Sequence, residues 1–319
     1  MNMEFDANKI KVGISSCLIG NKVRFDGGHK RSVYCQKILS QYFDFHPICP
    51  EMAIGMGTPR RAIRLIKGEQ RIRVVASDGS FEVTEKLEEF SAQTSPTLTP
   101  LSGYVFCAKS PSCGMERVTL YNPDNNQGQR NGVGVFAAKV MQDHPLLPVE
   151  EDGRLNDFLL RENFITRVIA YHKWQGLVAS GITMAKLTNF HAQHKYLLMA
   201  HNPTIYYTLG PMLGGTGKSA EEIAPEYIAG FMATLKCIAN RKSHTNTLSH
   251  LQGYFKKQLT STERTALADT IDKYRTGLLP LMAPLTLITH YLTIYPDPYL
   301  IQQVYLHPHP EALKLRYNH

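Results

Sequence analysis

The chain is poor in cysteine, with six in 319 residues, and no two of them stand in a CxxC spacing. So few cannot build a disulfide scaffold, and the CxxxCxxC signature of radical S-adenosylmethionine chemistry is missing. Nowhere do eighteen apolar residues stand together, and Met1 to Lys11 contain no apolar run that could act as a leader. This implies a cytoplasmic protein with no membrane partner. No internal repeat or low-complexity tract is present. The glycine-rich run Gly214-Gly215-Thr216-Gly217-Lys218-Ser219 invites an ATP site, but Met212 stands where the phosphate loop needs its first glycine and no strand precedes it.

What is present suits ordinary globular cores: 43% hydrophobic, 9% aromatic and 19% charged residues. A length of 319 residues exceeds what one core usually serves, so two domains are expected. The net charge of +8 fits a polyanionic partner. From Gly181 onward there are 13 Lys+Arg against 8 Asp+Glu, a balance of +5, compared with +3 for the first 180 residues. Nine of the 13 histidines also fall in the second part, which would become more basic on mild acidification. Nothing in the chain singles out a protein partner.

The first part alternates β-branched runs with helical stretches, the pattern of an α/β domain with a mostly parallel sheet and helices on both faces. Strands are predicted at Ile10 to Ser15, Phe43 to Ile48, Ile72 to Ala76, Tyr104 to Ala108 and Leu146 to Val149. Helices are predicted over Ser32 to Tyr42, Ser80 to Gln93 and Gly132 to Gln142. A helix with a buried stripe, Asn156 to Trp174, is expected to close this domain, giving residues 1–180. After Gly181 strand signals vanish. Ser219 with Glu222 and Thr260 with Glu263 have capping-box spacing, Asn202-Pro203 should stop one helix, and Gly277 should cap another ahead of Leu281 to Ile294. Residues 181–319 therefore read as an all-α domain.

Ligands of an open parallel sheet gather beyond the carboxyl ends of its strands. Cys17 follows the first strand, Cys49 the second, and Cys113 lies just past Tyr104 to Ala108, so the three meet at one edge. Each is set in loop chemistry: Ser15-Ser16-Cys17, Cys49-Pro50-Glu51 and Ser110-Pro111-Ser112-Cys113-Gly114. Cys107 sits in an apolar run, and Cys35 and Cys237 in helical patterns, so these three read as inert core thiols. For Cys17, Cys49 and Cys113 the residues alone allow a shared metal site, unrelated thiols or a nucleophilic cysteine. Three thiolates leave a metal or cluster open to substrate, whereas four close it.

At these residues the chain resembles the TudS thiouracil desulfidase family (DUF523), through SSCLIG, RFDGG, CPE, the TPR that follows, SPSCG, LRENF and the Tyr171 to Trp174 segment. The second part resembles DUF1722, in FHAQHKYLLMAHNP, HLQGYFKKQL and LLPLMAPLTLI. The fusion is similar to the RudS enzymes, bacterial tRNA desulfidases that remove 4-thiouridine. The resemblance implies a 4Fe-4S cluster on Cys17, Cys49 and Cys113, with Glu51 and Ser110 as catalytic residues. It also implies tRNA carrying 4-thiouridine as partner, bound with the help of the helical domain.

Asp26 with Gly27-Gly28 reads as turn chemistry, with Arg24 and Asp26 as candidates for the pocket wall; Ser112 is a candidate for the substrate, and Ser110 and Ser112 can also serve to tie the turn. Lys195, Arg241, Lys242, Lys256 and Lys257 are candidate phosphate contacts, with His250, Tyr254 and Lys257 on one helix face if Leu251, Phe255 and Leu259 form the buried stripe. His191 and His194 have an HxxH spacing but no third ligand. The reverse activity, tRNA thiolation, would need an SGGxDS-type adenylation motif, which is absent. The alternatives are a desulfidase of free thiouracil or thiouridine nucleotides, a three-cysteine zinc hydrolase, and a cluster-carrying tRNA sensor without enzymatic activity.

Overall fold

The computed structural model describes residues 10–214 and 217–317. Gly215 and Thr216 of the glycine-rich run, and most of the stretch in which a leader was sought, lie outside the described residues. The chain divides into two compact units, the first ending at Asn156 and the second starting at Asp157.

The first unit runs β1 (Ile10–Ser15), β2 (Phe43–Ile48), α1 (Pro50–Ala53), β3 (Ile63–Lys67), β4 (Ile72–Ala76), α2 (Thr84–Thr94), β5 (Tyr104–Phe106), β6 (Val118–Tyr121), β7 (Gly128–Gly132), α3 (Val135–Asp143) and β8 (Val149–Glu151). Its main sheet has the order β2-β1-β5-β8 and is parallel throughout. Ile10, Val12 and Ile14 of β1 are buried, as expected for a strand covered on both sides. Gly13 is required because β5 comes so close: a Cβ there would lie 2.2 Å from the Tyr104 ring.

A second sheet, not expected from the sequence, has the order β4-β3-β6-β7, with antiparallel pairs at both edges and a parallel one between. β4, expected in the main sheet, belongs to this one. The segment expected as a helix over Ser32 to Tyr42 is instead a wide i→i+5 turn, Tyr34–Ile38, followed by a 3-10 turn, Leu39–Gln41. Cys35 and Leu39 are buried there, while Val33 and Ile38 are 52% and 40% exposed.

The second unit is helical: α4 (Phe158–Ala179), α5 (Met184–His201), α6 (Pro203–Met212), α7 (Ala220–Lys236), α8 (Arg241–Tyr254), α9 (Ser261–Arg275), α10 (Met282–Ile294) and α11 (Pro298–Ile301). Both capping boxes form, Ser219 with Glu222 and Thr260 with Glu263. Asn202 ends α5 and caps α6, and Gly277 takes a positive φ of 85° after α9. α4 corrects the expected boundary at residue 180, because it packs within the second unit. Asn163 donates to the Leu235 carbonyl at the end of α7 (2.8 Å), and Arg316 donates to Glu162 (2.7 Å). Trp174 packs on Phe190 and Tyr227. Among the described residues no helix is long and apolar enough to cross a membrane.

Candidate active site: a thiol-lined cavity at the strand ends

Each strand of the parallel sheet delivers a polar side chain just past its carboxyl end. Cys17 lies in the 3-10 turn after β1, Cys49 caps α1 after β2, Cys107 directly follows β5, and Asp152 directly follows β8. Cys113 comes from the loop beyond Cys107. All five line one cavity of about 650 Å³, together with Glu51, Arg24, Lys30, Arg60 and Ser110. The edge-of-sheet crevice is where a parallel topology leaves backbone groups and side chains converging without a neighbouring strand to cover them.

The loop bearing Cys113 is held on three sides. Ser110 Oγ accepts the Ser112 and Cys113 amide protons (3.3 and 3.1 Å). Glu151 Oε1 accepts the Met115 amide (2.8 Å). Gly134 lets α3 close on it, since a Cβ there would stand 2.6 Å from the Ser112 carbonyl. A side chain at 134 would push the Cys113 loop out of place.

Glu51 enters from the first turn of α1, where Pro50 supplies the pre-set φ of a helix start. One carboxylate oxygen accepts the Ser112 hydroxyl proton (2.7 Å). The other accepts from Arg60 Nε (3.1 Å) and Nη2, whose guanidinium also donates to the carbonyls of Gly57 (2.8 Å) and Val23 (2.9 Å). The pair is enclosed, Arg60 at 5% side-chain exposure and Glu51 at 15%. Arg60 is the arginine of the TPR run, and nothing local in the sequence says that it folds back on Glu51.

The structure rearranges the two serines: Ser112 touches Glu51, while Ser110 ties the turn and faces the cavity. Arg24 and Asp26 form an ion pair (3.7 Å). Arg24 lines the cavity, whereas Asp26 accepts the Gly28 amide (2.9 Å) and closes a turn.

Cys107 is buried, as the core reading expects, but it also lines the cavity. Its apolar neighbours are strand residues, but β5 stops at Phe106, so Cys107 faces the crevice and contacts Cys17. Lys30 stands beside both thiols, with its ammonium 3.0 and 3.1 Å from the Asp152 carboxylate oxygens. Burial works to lower the Lys30 pKa, but Cys107, Asp152 and Cys17 outweigh it and raise it. Contact with Cys17 pushes the Cys107 thiol up, and burial pushes Cys49 and Cys113 up. Among the described residues no three His, Cys, Asp or Glu side chains are grouped to hold a single metal ion.

In the second unit the candidate phosphate contacts differ. Lys242, Lys256 and Lys257 are exposed. Arg241 is engaged with the Tyr274 carbonyl and ring, and Lys195 lies over the Tyr196 ring (5.2 Å). Leu251, Phe255 and Leu259 are buried as expected, but α8 ends at Tyr254, so Lys257 sits in the following turn and not on the helix face of His250. His191 and His194 do not form a ligand pair: His191 meets the Tyr227 hydroxyl (3.1 Å), and His194 is buried against Phe190.

The ends of a parallel α/β sheet thus gather thiols, a paired carboxylate and a lysine in one cavity. Residues 12–152 match the family model of 2-thiouracil desulfurase, and residues 195–310 match DUF1722, a family described as of unknown function. The "uncharacterized protein YbgA" of Escherichia coli K12 is 35% identical over 159 residues, covering 49% of this chain and 94% of that protein. The "uncharacterized protein YbbK" of Bacillus subtilis 168 is 30% identical over 154 residues, 46% of this chain and 98% of that one. Among solved structures, the [4Fe-4S]-dependent thiouracil desulfidase TudS matches at 25% identity and a TM-score of 0.38, over 46% of this chain and 94% of that one. The chain belongs to the 2-thiouracil desulfurase family, with a DUF1722 domain fused behind it, and is a desulfidase of the thiouracil type.

Proposed function

We propose that the cavity holds a 4Fe-4S cluster on Cys17, Cys49 and Cys113, and that the enzyme removes the sulfur of 4-thiouridine in tRNA, leaving uridine and hydrogen sulfide. The observation behind this reading is that three loop cysteines, distant in sequence, line a single cavity that offers sulfur donors and no histidine. Thiolates suit iron–sulfur clusters, whose ligands bind separate irons and need not close on one point as they do around zinc. An iron without a protein ligand supplies a soft Lewis acid matched to a thiocarbonyl sulfur.

The chain's own residues then handle water and protons. Glu51, held by Ser112 on one oxygen and Arg60 on the other, accepts a proton from the water that attacks the pyrimidine carbon. It returns that proton as the carbon–sulfur bond breaks. Overall, C=S and water give C=O and hydrogen sulfide, with no net electron transfer. Ser110 faces the same cavity and orients the base. Arg24 and Lys30 add positive charge to the wall, which suits an incoming phosphate-bearing substrate.

The tRNA part of the proposal rests on the +5 balance after Gly181 and on the exposed Lys242, Lys256 and Lys257. A cavity of about 650 Å³ also admits a free base. One anaerobic assay tests the whole: visible absorbance of the purified chain, with sulfide release from 4-thiouridine-bearing tRNA, free 4-thiouridine and 2-thiouracil compared. A brown protein that releases sulfide fastest from the tRNA is expected. A colourless protein would sink the cluster. Colour without sulfide would point to a sensor, and faster turnover of the free bases would remove tRNA as the substrate.

A further inference from the structure

The family reading uses three thiols, yet four line the cavity. Cys107 is the fourth, and its place is tightly built. Its amide donates to Ser15 Oγ of β1 (2.9 Å), and the next amide, of Ala108, donates to Asp152 past β8 (2.8 Å). The backbone that carries the thiol is thus pinned to the strands on either side of β5. The side chain meets Cys17, and Lys30 stands beside the two. A cysteine that merely filled the core would be wrapped by apolar neighbours. This one shares its cavity wall with a cation, a carboxylate and three other thiols.

We propose that Cys107 is a displaceable fourth ligand of the cluster, held on the iron that Cys17, Cys49 and Cys113 leave open and giving way when a substrate's sulfur arrives. The proposal rests on the cluster reading above. Lys30 explains why a fourth thiolate is tolerated here: each added thiolate brings a negative charge into a poorly solvated site, and a cation paired with only one carboxylate offsets it. The exchange breaks one iron–sulfur bond, to Cys107, and forms one, to the substrate. No electrons move, and the released thiolate stays beside the Lys30 ammonium. Access is therefore controlled by competition between two sulfurs, and the resting cluster is protected from losing iron.

The test uses the full chain, purified without oxygen with its cluster, and limited additions of ferricyanide. A cluster with an unliganded iron sheds it and gives the electron paramagnetic resonance signal of a 3Fe-4S centre. The wild type should resist this, while Cys107→Ala converts at least about tenfold faster, the lower end of what losing a partner of a metal site costs. Cys107→Ser, which keeps the size but offers a harder ligand, should fall between them, and Cys237→Ala, in the helical unit, should match the wild type. If the alanine variant fails to assemble a cluster, the serine variant decides alone. Equal conversion in the wild type and the Cys107 variants overturns the inference while leaving the cluster standing. A wild type that takes up no cluster overturns both together.

Discussion

Lowering the pH from 7 to 5 should weaken the helical unit through His194. The residue is 1% exposed, its ring tilted against Phe190 at 4.2 Å and edge-on to Phe231 at 5.3 Å. Nδ1 pairs with the Phe190 carbonyl (2.7 Å), and Nε2 meets no partner among the described residues, so nothing receives the proton that would charge the ring. Burial pushes its pKa down to about 3 from the ordinary 6.5. The folded value lies below the unfolded one, so stability is complete above about 6.5 and is lost as the pH falls toward about 3. At pH 5 the unfolded ring is mostly protonated and the folded one is not, which costs about 2 kcal/mol relative to pH 7. His201, partly exposed and pushed down to about 4 by burial, adds to the loss in the same direction.

The assay is built into the chain, because the single tryptophan, Trp174, is 6% exposed in this unit and packs on Phe190 and Tyr227. Urea titrations followed by Trp174 fluorescence should show the fall at pH 5, and His194→Phe should remove about 2 kcal/mol of the pH dependence. Equal unfolding free energies at pH 7 and pH 5 in the wild type, or a His194→Phe chain with undiminished pH dependence, would refute the argument.

Three further outcomes are expected. Glu51→Gln should leave the visible absorbance intact while sulfide release drops by roughly 10²–10⁴, the usual contribution of a positioned proton acceptor; unchanged turnover removes Glu51 from the chemistry. Gly134→Ala should cost about 1–3 kcal/mol by forcing the Ser112–Cys113 backbone away, and should lower the iron bound per chain; an iron content equal to wild type would show that the Cys113 loop tolerates the shift. Reversing the charge of the exposed Lys256 and Lys257 should weaken tRNA binding and flatten its salt dependence by about one unit of slope per lost phosphate contact. The same affinity and slope as the wild type would exclude this turn from the interface.

The main sheet was legible because β1 and β5 are short apolar or β-branched runs and β2 alternates Phe43 and Phe45 with polar residues, and the helical unit because its caps are local. The second sheet was not. β3 reads Ile-Arg-Leu-Ile-Lys and β7 Gly-Gln-Arg-Asn-Gly, and neither separates from loop on pattern alone, since each becomes a strand only by pairing. α4 was visible as a helix, but its allegiance to the second unit depends on Asn163 and Glu162 finding Leu235 and Arg316.

By itself the sequence singled out the candidate residues: three cysteines set in loops after strands, a glutamate behind Cys49-Pro50, and a surplus of positive charge after Gly181. These are properties of residue type and short spacing. Only the tertiary structure decided what those residues touch. Parallel pairing brings the ends of four strands to one edge, so Arg60 closes on Glu51, Ser112 donates to the same carboxylate, and Asp152 reaches Lys30. It also decided that Cys107, although buried, lines the cavity beside Cys17. A side chain one position past a strand end takes its environment from neighbouring strands and not from the apolar run that precedes it, and that environment is set by contacts remote in sequence.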